Sequence, residues 1–226
     1  MNKKIIFLLA SSLSVSAMAM DLSNPIVLKV RGHMLSTGAS QDSLSGKHPR
    51  EGAAEKSVGK LFEMGVGAEL SASLFLTDNF AVEGGSGLTI IRVKKSSIND
   101  VAFNYNATDI AKKKDMYAVP SYATVQYHIA PYGAIRPYVG AGLHYTFLRA
   151  RGDQYKVKSG AGVVAQAGVD LVFTDDTYLN LDIKYMTLKS KVNYNKGFVK
   201  TNAGEQVSTN LKINPIYFGL GFGFKF

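Results

Sequence analysis

Lys29, Arg31 and His33 stand at alternate positions in the stretch Pro25 to Leu35, with Leu28, Val30, Gly32 and Met34 interleaved among them. Side chains alternate across a β-strand, so the three basic groups share one face and the apolar groups the other. Further charged groups recur in similar alternating stretches: Glu83, Asp170, and Asp182 followed two positions on by Lys184, while His128 lies in another. Groups of these types facing one interior can pair as a structural network, relay ions, hold a metal or act as an acid–base set. For Lys29, Arg31, Glu83, His128, Asp170, Asp182 and Lys184 the mixed signs favour mutual pairing, because an unpaired charge in a narrow interior is costly. No metal site is expected. His33, His128 and His144 lack ligand-like spacing, and the absence of cysteine excludes thiolate zinc sites and disulfides.

The elements that must position these groups follow from period-two alternation along most of the chain. Asn2, Lys3 and Lys4 precede the apolar run Ile5 to Val15 and the small-residue site Ala17-Met18-Ala19. Residues 1–19 therefore read as a signal peptide and residues 20–226 as one exported barrel domain. No Cys follows the cleavage site to carry a lipid anchor, and no later apolar run is long enough for a helical membrane span. Eight alternating segments follow: Pro25 to Leu35, Leu61 to Leu76, Phe80 to Ile91, Met116 to Ile129, Arg136 to Leu148, Gly160 to Phe173, Tyr178 to Leu188 and Leu211 to Phe226. Tight turns at Thr77-Asp78-Asn79, Pro131-Tyr132-Gly133 and Thr174-Asp175-Asp176 alternate with four longer connectors. That asymmetry predicts an all-β fold, an eight-stranded antiparallel transmembrane β-barrel with short periplasmic turns and long external loops. With 12 Tyr, 12 Phe and no Trp, any interfacial aromatic girdle must be Tyr and Phe. Pro120, Pro137 and Pro215 fall within or at the ends of strands, where each removes a ladder hydrogen bond and predicts a bulge or a weakened seam.

Counted from the tight turns, the charged set and Lys225 fall in the periplasmic half of the interior. Thr89, Ile91, Gly140, Gly142, Met186 and Leu188 fall in the external half. Side chains alone fill an eight-stranded interior, so the pattern predicts a plugged lower half beneath a pocket open to the outside. Catalysis at the outer rim would need acids, His or Ser organised there, and the acidic lumen residues sit at the opposite end. Neither an enzyme nor a cofactor is expected. The formal net charge is +9, with Lys47, Arg50, Lys94, Lys95, Lys112 to Lys114, Arg149, Arg151, Lys156 and Lys158 in the predicted external connectors. Outer-membrane lipid, anionic lipopolysaccharide and acidic host surfaces are the expected neighbours. Nucleic acid is not, since the chain is exported and no aromatic stacking motif accompanies the charge.

Phe222, Phe224 and Phe226 alternate with Gly221, Gly223 and Lys225, and the pattern resembles the terminal aromatic assembly signal of outer-membrane barrels. It implies handling by the barrel assembly machinery. The stretches Pro120 to Phe147, Gly162 to Leu171 and Ile213 to Phe226, above all Arg136-Pro137-Tyr138-Val139-Gly140-Ala141-Gly142 before Tyr145-Thr146, resemble the OmpW family. The resemblance implies a narrow, largely hydrophobic channel for small hydrophobic molecules. The family's Trp gate in the third external loop has no counterpart, because the chain holds no Trp. The competing expectation is a plugged, adhesin-like surface barrel whose basic loops bind lipopolysaccharide or a host ligand. Small opacity-type and OmpX-like barrels work in that way.

Overall fold

The alternation becomes a closed hydrogen-bonded ladder in the computed structural model, which describes residues 26–41, 64–92, 115–150, 155–174, 176–194 and 208–226. The strands are β1 (Ile26–Gln41), β2 (Gly65–Phe75), β3 (Phe80–Arg92), β4 (Asp115–His128), β5 (Ile135–Ala150), β6 (Tyr155–Val157), β7 (Gly160–Thr174), β8 (Thr177–Met186), β9 (Leu188–Tyr194) and β10 (Ser208–Lys225). Pairing runs β1-β2-β3-β4-β5-β7-β8-β10, and β10 returns to β1. All the pairs are antiparallel. β8 and β9 form one stave interrupted at Thr187, both paired to β10, and the short β6 pairs with β9. The wall is therefore an eight-stave barrel. β1 and β10 close it in register from Val27 opposite Lys225 to Gln41 opposite Leu211. Closure leaves none of the eight staves as a free edge for pairing with another chain.

Several strands run further toward the loop end than alternation alone predicts. β1 continues past Leu35 to Gln41, β5 past Leu148 to Ala150, and β9 and the start of β10 occupy part of the predicted last connector. β6 lies within the predicted third connector. Above the lipid both faces of a strand meet polar surroundings, so side chains stop alternating while backbone pairing continues. The predicted signal peptide and Lys47, Arg50, Lys94, Lys95, Lys112 to Lys114 and Arg151 lie outside the described residues, as does the side chain of Lys156. Arg149 and Lys158 are exposed near the loop end.

At the other end, tight turns lock neighbouring staves together. Leu76 N donates to Phe80 O at 2.8 Å, and His128 N to Asn79 O at 2.7 Å. The Asn79 side chain returns a bond to His128 O at 2.7 Å. Tyr132 in the second turn bonds Asp78 in the first, which raises the phenol above its ordinary pKa.

Burial is inverted relative to a water-soluble domain. Arg31 is 1% exposed, whereas Leu143 is 68% exposed. The outer surface is the apolar band a bilayer requires, and the inner surface carries the charges. Its aromatic members are Phe and Tyr, including Phe80, Tyr127, Phe173 and Phe224 toward the turns and Tyr145 and Phe147 toward the loops.

The ladder lapses at two prolines. Between β3 and β4 it pairs Ser86 with Ser121 and resumes at Thr89 with Ala118, omitting Gly87 opposite Pro120 and Leu88 opposite Val119. Between β10 and the β8–β9 stave it pairs Ile213 with Leu188 and Ile216 with Tyr185, omitting the two positions between, one of them Pro215. Pro137, by contrast, stays paired with Val169. Its carbonyl also accepts from Ile129 N.

Candidate functional site

The charged face of β1 is held by partners from nearly every other stave. Arg31 Nη1 donates to Glu69 Oε1 at 2.6 Å, to Ser71 Oγ at 2.9 Å and to Tyr122 Oη at 3.2 Å. Its Nη2 reaches Glu83 Oε2 at 3.1 Å and its Nε reaches Asn180 Oδ1. Lys29 Nζ lies 3.3 Å from Glu83 Oε2, 3.6 Å from Asp170 Oδ2 and 4.8 Å from the centre of the Tyr138 ring. Lys184 Nζ donates to Glu69 Oε1 at 2.9 Å and to Asp182 Oδ1. The second Asp182 oxygen accepts from Tyr138 Oη at 2.9 Å and from Gln166 Nε2 at 2.8 Å.

Three cations thus face four carboxylates across the bore, tied together by phenols and amides. β10 makes room for them. Its inward positions at this depth are Gly219, Gly221 and Gly223, and a Cβ at Gly219 would lie 3.5 Å from Arg31 Cδ. The set bridges β1, β2, β3, β4, β5, β7 and β8 and forms a plug, because long paired side chains fill a bore this narrow.

Of the residues singled out from sequence, Lys29, Arg31, Glu83, Asp170, Asp182 and Lys184 meet in this plug. His128 borders it. Its ring stacks on Tyr138 with centroids 5.1 Å apart, and Nε2 is 3.4 Å from Gln126 Oε1. Lys225 is exposed at the barrel end and takes no part in the plug. Glu69, Tyr122, Tyr138, Gln166 and Asn180 complete the plug but were not in the charged set proposed from sequence. Alternation places Glu69 inward, and its tie to Arg31 follows from the register that sets the two residues side by side. Among the described residues no three or more His, Cys, Asp or Glu groups are placed to hold a metal.

Above the plug the lining changes character. Leu35, Ile91, Met116, Leu148, Met186, Leu188 and Ile213 are all buried and pack as one cluster, joined by Ala118, Val164 and Tyr217. Thr89 marks the boundary, with its Oγ1 2.8 Å from His33 Nε2. Two residues expected in this upper half lie lower. Gly140 sits in register between Gln126 and Gln166, at the depth of the plug, and Gly142 sits between Thr124 and Val164 at its upper margin. Both glycines serve wall packing. A Cβ at Gly142 would collide with the Ala123 carbonyl oxygen, and one at Gly140 would stand 3.1 Å from Gln126 Cγ.

A closed barrel with an apolar outside, a charged inside and its long connectors gathered at one end is an integral outer-membrane protein. The chain belongs to the OmpW family, whose profile matches residues 27–226. It is 36% identical over 172 residues to a provisionally named outer membrane protein of Rickettsia typhi, a match covering 75% of this chain and 70% of the relative. It is 30% identical over 129 residues to outer membrane protein W of Vibrio cholerae, covering 52% and 55% of the two chains. Among solved structures, OprG of Pseudomonas aeruginosa superposes with a TM-score of 0.68 at 17% identity, over 90% of this chain and 96% of OprG. AlkL in lipid bilayers gives 0.64 at 17% identity, over 93% and 94%. These two likenesses concern the fold.

Proposed function

We propose that the barrel admits small hydrophobic molecules from outside into its apolar upper half and releases them through the wall. The observation that carries this reading is the stacking of an apolar lining directly on a self-paired plug. A guest entering from the loop end meets hydrocarbon and then a floor. Covering apolar surface favours such a guest by roughly 25 cal/mol per Å². A through-path would require breaking buried ion pairs, so the ladder lapse at Pro120 is the cheaper way out. It lies just below Thr89, at the boundary of plug and apolar cluster, and on its lipid side Ser86 and Ser121 close on each other with Oγ atoms 3.0 Å apart.

Ala118 is a small inward residue within the apolar cluster. Ala118→Trp should fill the cup without touching a charged side chain. In cells with an intact lipopolysaccharide layer, uptake of the dye phenylnaphthylamine should rise with the wild-type barrel and fall to background with this variant, provided it still folds to a heat-modifiable form. Planar bilayers should show no sustained ion current from either protein. Undiminished uptake through Ala118→Trp would refute passage through the cup. The plug would then favour the second reading, a surface barrel that works through its loops.

A further inference from the structure

We infer that the wall has a second lateral opening, at Pro215, on the opposite side of the barrel from the one at Pro120. Resting on the lateral release proposed above, it adds a separate route with its own lips. Around the barrel, β4, β5, β7 and the β8–β9 stave separate the two lapses on one side, and β10, β1, β2 and β3 separate them on the other. The seams are therefore diametrically placed.

The register that pairs Ile213 with Leu188 and Ile216 with Tyr185 sets Thr187 opposite Asn214 and Met186 opposite Pro215 with no ladder pairing at either. Pro215 has no N–H to give, and Thr187 N is already committed to Val163 O at 3.0 Å. Behind the seam stand Met186, Leu188 and Ile213, all members of the apolar cluster. A guest in the cup thus touches this seam as directly as the first.

The lips differ in a way that decides which opens more readily. At Pro120 the outward Ser86 and Ser121 hydroxyls hydrogen-bond across the gap. At Pro215 alternation turns Thr187 and Asn214 outward, but they do not bridge. The Thr187 hydroxyl accepts from Val163 N on the neighbouring stave at 3.1 Å. Among the described residues the half-buried Asn214 side chain has no hydrogen bond. Opening the second seam breaks no ladder bond at two successive positions and, among the described residues, no side-chain latch. It is the less restrained of the two.

The chain has no cysteine, so each seam can be locked alone. Residues opposed in an antiparallel pair have Cα atoms about 4.5–5.5 Å apart, within disulfide range. Three variants are compared: Ser86→Cys with Ser121→Cys, Thr187→Cys with Asn214→Cys, and all four together. Each is assayed for phenylnaphthylamine uptake in cells, oxidised and then reduced, with heat-modifiability showing that the barrel is folded. Two openings predict that either single lock slows uptake without abolishing it, with the Thr187–Asn214 lock the more severe. The double lock should bring uptake to background, and reductant should restore it. Complete loss on locking Ser86 to Ser121 alone, with no effect of the Thr187–Asn214 lock, would overturn the second opening and leave the first intact. Undiminished uptake through the double lock would refute lateral release altogether.

Discussion

The periplasmic and external halves of the lumen are lined by the same staves with the same alternation, yet one is a set of paired charges and the other is mostly hydrocarbon, with His144 and Thr146 among its polar members. In the lower half Arg31 and Lys184 find acceptors on facing strands, while Lys29 makes no hydrogen bond and is balanced by the nearby carboxylates of Glu83 and Asp170. In the upper half Leu35, Met116, Met186 and Leu188 have one another and whatever enters. An inward-facing position in a barrel is therefore not one environment. The lower half pairs its charges with one another and ties the staves together; the upper half packs as an apolar cluster, the kind of surface the proposed binding of an apolar guest requires.

The largest test of this contrast is Arg31→Met. The change leaves Glu69 and Glu83 with one lysine each in a dry bore that then holds two cations against four carboxylates, and should destabilise the barrel by about 3–5 kcal/mol, the usual consequence of removing one partner from a buried ionic set. A lowered urea midpoint for the heat-modifiable form would register it. Adding Glu83→Gln removes one stranded charge and should recover part of the loss. A fully stable Arg31→Met barrel would mean that packing holds the lower half together.

A second test separates glycines that admit the plug from glycines that admit the wall. Gly142→Ala drives a methyl into the Ala123 carbonyl and should cost about 1–3 kcal/mol. Gly219→Ala places its methyl 3.5 Å from Arg31 Cδ, an ordinary contact, and should change the same midpoint by less than about 0.5 kcal/mol. A Gly219→Ala cost as large as that of Gly142→Ala would mean that Arg31 needs the bare glycine beside it.

How much of this was legible in the sequence depended on what each signal measures. Alternation fixes which face a residue takes, so Lys29, Arg31, Glu83, Asp170, Asp182 and Lys184 could all be placed inside from spacing alone. Depth is harder, because it depends on register and tilt, which are properties of strand pairs. Counting from turns put Gly140 too high, which the register corrects, and put Lys225 with the other charges, whereas it is exposed at the barrel end. Neutral members of the plug carry no sequence mark. Tyr122 and Asn180 are ordinary strand residues until Arg31 reaches them across the bore. Prolines signalled strained seams, but only pairing distinguishes Pro120 and Pro215, where the ladder lapses, from Pro137, where it does not.

A modest expected stability effect probes the upper half most directly. Ser86→Ala removes the hydroxyl that meets Ser121 on the lipid side of the Pro120 seam. One hydrogen bond of this kind contributes about 1 kcal/mol, so the midpoint should move only slightly. The same change acts on the seam as a population effect, since 1 kcal/mol shifts an open-to-closed ratio about fivefold. If guests leave sideways from the cup, dye uptake through the Pro120 seam should rise by up to that factor while the barrel stays folded. The gain should be clearest when the Thr187–Asn214 seam is locked by its disulfide, because the unlatched route no longer masks it. A variant that loses stability without gaining uptake would make the serine pair a structural contact in a wall that does not open there, and the contrast between the two halves would then need another exit from the upper one.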